Sequence, residues 1–226
     1  MDAARIAELL EPFLETVANG QRPTTNDVLH QHISTYINLL LRWNSRINLT
    51  AVRDPEQIVT RHFGESLFAA RVLFPRLSSV SSVPSAVTAL DSPRTADIGS
   101  GAGFPGIPIK LWAPQISLTL IESNHKKAAF LGEVARALRL TDVNIKNARA
   151  ETLPQYSFDL VTLRAVERFD KILPIASDLL APGGLLALLI GSSQLAEAKA
   201  ALPVLSWSTP IPIPLSDSRI LVTAQT

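Results

Sequence analysis

The sequence predicts an α/β fold, a mainly parallel sheet covered by helices on both faces and preceded by a helical extension. Three observations carry that prediction. From Thr95 onward short apolar runs alternate with amphipathic stretches, the texture of βαβ units joined by right-handed crossovers. Before residue 75 every apolar period is helical. Between the two lies a Ser/Pro/Val/Ala-rich stretch with few charges and no lasting period, the composition of a linker or loop. The expected organisation is therefore a helical extension over 1–74, a linker over 75–94 and an α/β domain over 95–226.

The extension begins with Ile6, Leu9, Leu10, Phe13, Leu14 and Val17 at helical spacing within residues 4–18, stopped by Asn19-Gly20 as a C-terminal cap would stop it. A second period, Val28, Leu29, Ile33, Tyr36, Ile37, Leu40 and Leu41, runs to Trp43. A third helix is expected over about 55–73, with Asp54 as its cap, Pro55 in its first turn and Glu56 at its positive end. In the second half, strands are expected at 95–98, 117–121, 143–146, 158–163 and 184–190, with two more in the tail from Trp207 to Thr223. Helices are expected from 105, 126, 169 and 194. Ligands in such sheets bind at the carboxyl ends of the strands.

Composition narrows the chemistry. The chain of 226 residues has no cysteine, which removes disulfide scaffolds, thiolate metal sites and Cys nucleophiles. With only four histidines, His30, His32, His62 and His125, a His-based metal site is not expected either. The longest apolar run, Leu185 to Ile190, is too short to span a bilayer. The amphipathic N-terminus does not read as a secretory signal, so a soluble, cytoplasmic protein is expected. A formal net charge of +1 neither indicates nor excludes a nucleic-acid partner. Locally, six arginines (42, 46, 53, 61, 71 and 76) face only Asp54, Glu56 and Glu65 over residues 42–76, a surplus suited to phosphates or to ordinary helix solvation.

The most informative stretch is Asp97-Ile98-Gly99-Ser100-Gly101-Ala102-Gly103-Phe104-Pro105-Gly106. Three alternate glycines after a strand let the backbone turn tightly and approach a ligand closely. Gly101-x-Gly103-x-x-Gly106 also matches dinucleotide spacing, so the glycines alone do not choose a cofactor. Asp97 would repel a pyrophosphate and suits a cationic ligand such as the amino acid portion of S-adenosylmethionine. Glu122, at the end of the next strand, suits the ribose hydroxyls of any adenosine. The series Phe158-Asp159-Leu160-Val161, then Ala181-Pro182-Gly183-Gly184 and a strand, resembles the fourth and fifth strands of class I methyltransferases. Arg164, at a buried strand end, needs partners, for which Asp97 or Glu167 are the candidates. His62 reads equally as an RNA contact or as a histidine satisfied by a neighbouring carboxylate.

At this point a family resemblance becomes specific. The chain resembles the RsmG/GidB family of bacterial enzymes that methylate N7 of a guanosine in 16S ribosomal RNA. The resemblance rests on Trp43-Asn44, on Asn48 through Asp54, on Arg61-His62 with Ser66, and on Asp97 through Gly106 with its Phe-Pro-Gly-Ile-Pro continuation. It continues through Glu122-Ser123, Lys127, Phe130-Leu131, Arg149-Ala150-Glu151 and Leu163-Arg164-Ala165. It implies a class I S-adenosylmethionine-dependent methyltransferase with a Rossmann-like, mainly parallel seven-stranded sheet. The implied cofactor residues are Asp97, Gly99, Gly101, Gly103, Phe104, Glu122, Ala150, Glu151 and Arg164, with Arg164 also the catalytic residue beside the target base. Arg53, Arg61 and Lys127 are the implied RNA contacts, S-adenosylhomocysteine the product, and 16S ribosomal RNA or an assembling 30S subunit the partner. No metal, no membrane and a monomer are expected.

The sequence departs from the family pattern in three places. Glu65 stands where Asp is expected before Ser66, preceded by Gly64 within a predicted helix, where glycine costs about 1 kcal/mol relative to alanine. Ile190-Gly191 replaces an expected Lys-Gly pair. The segment from Arg76 to Arg94 is longer than the usual connection. Three rival readings remain: a nicotinamide-dependent oxidoreductase, favoured by the glycine spacing; a non-catalytic RNA-binding module; and a methyltransferase acting on a small molecule. N7 of guanine has a lone pair and no proton, so the lack of an obvious catalytic acid–base pair in the sequence fits methylation at N7, as does the lack of an Asn/Asp-Pro-Pro-aromatic motif.

Overall fold

The computed structural model describes residues 1–14, 27–75, 91–166 and 168–226. The predicted cap at Asn19-Gly20, most of the Ser/Pro-rich stretch and Glu167 lie outside those residues.

Three helical stretches precede the sheet. α1 (Ala3–Leu14) buries Ile6, Leu10, Phe13 and Leu14, the face its periodicity marks. α2 (Asp27–Asn44) buries Leu29, Ile33, Tyr36, Ile37 and Leu40. Then α3 (Pro55–Gln57), a π-helical stretch (Ile58–Gly64) and α4 (Glu65–Leu73) follow without a break. The start is as the sequence predicts: the Asp54 carboxylate accepts from Gln57 N at 2.8 Å, and Pro55 occupies the first turn. The wider π turns over the middle were not legible from periodicity; such stretches are frequent at functional sites.

The sheet contains β1 (Arg94–Ile98), β2 (Ser117–Ile121), β3 (Val143–Lys146), β4 (Phe158–Arg164), β5 (Leu180–Gly191), β6 (Ser206–Trp207), β7 (Ile211–Pro212) and β8 (Arg219–Gln225). Their order is β3-β2-β1-β4-β5-β8-β6, with β7 pairing β8 beside β6. β1 to β5 are parallel, and β8 runs antiparallel to β5 with Gly191 opposite Arg219. Among the described residues there are eight strands where seven are expected, because Pro210, Pro212 and Pro214 break the tail; proline cannot donate to a ladder, and two-residue edge pieces precede β8. β5 starts four residues early, with a register shift opposite Phe158 and Leu160 that absorbs Pro182 and Gly183.

Helices α5 (Gly106–Trp112), α6 (His125–Ala137), α7 (Phe169–Asp178) and α8 (Leu195–Ala201) cover the faces. One core joins α1, α2 and α4 to Leu118, Leu120, Leu160, Leu185 and Leu189 of the sheet. The other packs Leu173, Ala176 and Ala198 against Val161, Leu163, Leu186 and Leu188. β1 lies between β2 and β4, so the connections diverge at its carboxyl end, the point where ligands bind in open α/β sheets. Gly99 begins there. No helix among the described residues is long and apolar enough to cross a membrane.

Candidate cofactor and acceptor cavity

A cavity of about 600 Å³ opens over the carboxyl ends of β1 and β4, within the usual range for small-ligand sites. The glycine-rich turn, Phe104, Glu122, Lys127, Arg61, His62, Arg164 and Arg219 line it, and residues 49–52 form one rim.

The turn is tied down by the strand beside it. Gly99 N and Ser100 N donate to Ile121 O at 2.9 and 3.1 Å. Glu122 accepts from Gly101 N at 2.9 Å with one carboxylate oxygen and from Asn124 N at 2.7 Å with the other. The carboxylate is thus held between the turn and the start of α6. Gly103 has φ +87°, and an added Cβ would fall on the Tyr36 hydroxyl and 2.8 Å from Ile107 Cδ1. Tyr36, wholly buried, donates to Ala102 O and stacks on Phe104 at 5.3 Å. Gly103→Ala is therefore expected to lift the turn off α2 and weaken S-adenosylmethionine binding at least tenfold, as isothermal titration would measure.

Asp97 stands behind this turn and does not line the cavity. It is 1% exposed; Thr162 Oγ1 donates to it at 2.9 Å and Gly106 N at 3.3 Å. Burial pushes its carboxyl up to about 7 against those hydrogen bonds. Ala150 and Glu151 sit on a 3₁₀ turn after β3, Ala150 buried and Glu151 exposed, and neither lines the cavity. Gly99, Gly101 and Phe104 do line it; Gly103 lies beneath.

Opposite the turn, a charged cluster joins β4, β8 and the helix through Ile58–Gly64. Arg164 Nη2 lies 2.9 Å from Glu65 Oε2 and also donates to Arg61 O. Arg219 Nε lies 3.0 Å from the same Glu65 oxygen, an ion pair without hydrogen-bond alignment. Both the Arg164 and Glu65 side chains are more than nine-tenths buried. Burial lowers the Arg164 guanidinium to about 10, with Glu65 acting against the shift. Among the described residues the ion-pair partner of Arg164 is thus Glu65 and not Asp97, while Glu167 lies outside those residues; the departure at position 65 supplies the counter-charge. Gly64 has its own reason: an added Cβ would come within 2.8 Å of three Phe13 ring atoms.

His62 joins this cluster to the rim. Its Nε2 lies 2.8 Å from Thr50 Oγ1, its Nδ1 lies 3.4 Å from Arg164 Nη2, and its ring packs on Phe104 at 4.9 Å. A guanidinium only donates, so Nδ1 is the acceptor and Nε2 carries the proton. The rim itself is pinned by Asn44, whose Oδ1 accepts from Leu49 N and Thr50 N and whose Nδ2 donates to Thr50 O. His62 is thus satisfied by a hydroxyl and a guanidinium, with no carboxylate partner among the described residues. Burial, then Arg164, Arg61 and Arg219, lower its imidazole to about 3. The unfolded chain would take up a proton there below its ordinary pKa of 6.5, the folded chain only near 3. Stability contributed by this group therefore falls as pH drops from 6.5 towards 3. In NMR, the His62 ring signals are expected to stay at their neutral positions from pH 8 to 5.

Of the expected RNA contacts, Arg61 and Lys127 line the cavity and Arg53 is exposed on the rim loop. Elsewhere the basic band is partly committed. Arg42 pairs with Glu133, which also accepts from Trp43 Nε1, and Arg71 lies over the Phe68 ring. Trp43 packs against Phe130 of α6 at 5.7 Å and so closes a helix junction. Ile190 is buried in β5, and the cation near that strand end comes from Arg219, across from Gly191. Sequence reasoning missed Arg219 and Tyr36. Arg219 carried one usable signal, a charge opening the last apolar strand; Tyr36 carried none beyond its place in the α2 period. No group of metal-ligating side chains occurs among the described residues.

Known proteins share this architecture and much of this sequence. The ribosomal protein L11 methylase of Lactobacillus delbrueckii superposes with a TM-score of 0.56 over 74% of this chain and 79% of that one, at 15% identity. A SAM-dependent methyltransferase from Aquifex aeolicus gives 0.50 over 59% and 81%, also at 15% identity. At those identities the likeness is one of fold. Sequence relatives named Ribosomal RNA small subunit methyltransferase G include those of Xanthomonas campestris pv. campestris strain B100, 39% identical over 91% of this chain and 92% of the relative. The one from Desulfitobacterium hafniense is 37% identical over 77% and 70%. The family described as GidB, rRNA small subunit methyltransferase G, matches residues 29–209, and this chain belongs to it.

Proposed function

We propose that the protein transfers a methyl group from S-adenosylmethionine to N7 of a guanosine in 16S ribosomal RNA, free or within an assembling 30S subunit, in the cytoplasm and as a monomer. The observation that carries the reading is a cavity whose two walls differ in kind. One wall is a glycine-rich turn bound to a ribose-type carboxylate, Glu122; the other is the Arg164–Glu65–Arg219 cluster with basic side chains at its mouth.

The first wall fits the cofactor. Gly101 lines the cavity, and a Cβ there would meet only Gly99 O, at 3.7 Å, so it would stand in the space a ligand needs. Gly99, Gly101 and Glu122 would hold the adenosine and methionine portions, with Asp97 behind the turn on the methionine side and Ala150-Glu151 flanking the adenine. When bound, S-adenosylmethionine supplies a methyl group activated by a sulfonium sulfur.

The second wall orients the acceptor. N7 of guanine has an in-plane lone pair and no proton, so the chain has no proton to remove. A protonated guanidinium at Arg164, and an imidazole at His62 whose pKa is lowered to about 3 and which is therefore a weak base, are consistent with that. What remains is alignment, which can supply several kcal/mol by orientation alone. Arg164 is held by Glu65 and the Arg61 carbonyl, so its position is set before substrate arrives. Arg53, Arg61 and Lys127 would engage phosphates. RNA transcribed with 7-deazaguanosine tests the reading: normal small-subunit RNA accepts methyl, the deaza transcript accepts none, and transfer to the deaza transcript would move the target away from N7.

A further inference from the structure

We propose that α1 is a positioning element of the acceptor wall, acting through the contact of Phe13 with Gly64. The inference rests on the reading of the Arg164 cluster as part of the transfer site.

α1 lies ahead of the residues matched by the family, 29–209, and does not line the cavity. Its last buried aromatic nevertheless reaches the centre of the site's scaffold. Phe13 is 1% exposed, and three of its ring atoms lie 2.5, 2.6 and 2.8 Å from where a Cβ on Gly64 would stand. Real Cβ atoms do not approach ring carbons that closely, so the ring packs directly on helix backbone. That backbone closes the π-helical stretch Ile58–Gly64. Within four residues it presents Arg61 O and Glu65, both partners of Arg164, and His62, which packs on Phe104. The same helix is tied to α1 at its other end, where Arg5 makes a two-armed pair with Glu56 at 2.8 and 2.9 Å. The exposed pair contributes little by itself; the buried ring sets how close the two helices come. A π stretch is rare and found mostly at functional sites, and here its last residue is packed from the α1 side. Phe13 supplies that packing, and through it the azimuth of His62 and Glu65.

The test is a size-exchange cycle: Phe13→Ala, Gly64→Ala and the double variant. Readouts are thermal midpoint, S-adenosylmethionine affinity, kcat on small-subunit RNA, and the His62 imidazole resonances, which need no activity. Each single variant is expected to lose at least tenfold in kcat with cofactor affinity within threefold, and to move the His62 signals. In the double variant the new Cβ occupies the space the ring has left, so Gly64→Ala costs nothing further and the signals return towards wild type. The idea fails if folded Phe13→Ala keeps wild-type kcat with His62 unmoved, or if the two losses multiply as independent sites do. Should Phe13→Ala not fold, Phe13→Leu decides by the same readouts. An inactive wild type with His62 still responding to Phe13 would count against the methyl-transfer reading and for the contact.

Discussion

Arg164→Ala is expected to slow methyl transfer by about 10²- to 10³-fold while the protein stays folded. Stability should fall far less than activity because Glu65 keeps a second partner: Arg219 Nε lies 3.0 Å from the oxygen that Arg164 also holds. Removing one partner of an isolated buried pair costs about 3–5 kcal/mol; here the carboxylate is not stranded, and a loss of about 1–2 kcal/mol is expected. Single-turnover transfer and thermal unfolding, measured on one preparation, separate the two effects. Wild-type activity in Arg164→Ala would remove the residue from the site. A loss of activity matched by loss of fold would make it a structural arginine instead.

Glu65→Gln tests the opposite side of the same cluster and should give the reverse pattern. It leaves two guanidiniums, Arg164 and Arg219, facing a neutral amide in a site where the Arg164 and Glu65 side chains are 7% and 5% exposed. Like charges in that setting are not relieved by solvent, so a destabilisation of about 3–5 kcal/mol is expected. For a chain of this size that is a drop of roughly 6–20 °C in thermal midpoint. Glu65→Asp keeps the charge but is one methylene shorter, so it should recover much of the stability while reaching only one arginine. A Glu65→Gln midpoint within 2 °C of wild type would show that the two guanidiniums are solvated and that the carboxylate does not hold them.

Much of the fold was legible because its signals are local. β2 and β3 fall on the predicted residues, and β1 and β4 differ by one residue at an end, since each apolar run is bounded by turn residues that end it. Asp54-Pro55-Glu56 marked a helix start for the same reason. The tail was expected as two strands and forms three pieces, because Pro210, Pro212 and Pro214 limit the pairing there to Ile211–Pro212. At the site, the glycine turn and Glu122 were legible as chemistry attached to strand ends. The acceptor wall was only half legible. Glu65 and Arg164 stand 99 positions apart, and nothing in either neighbourhood names the other. Gly64 looked like a helix defect, and only the Phe13 ring against it explains the absence of a side chain. Asp97 shows the limit of motif reading: its place near the end of β1, ahead of the glycines, is as expected, yet burial places it behind the turn, where Thr162 and Gly106 hold it.

The measurement that bears most directly on the whole account is transfer of labelled methyl from S-adenosylmethionine to 16S ribosomal RNA and to 30S particles lacking the modification, followed by nucleoside analysis. The account predicts a single labelled product, 7-methylguanosine, absent with Arg164→Ala. Label in any other nucleoside, or none despite measurable cofactor binding, would contradict it.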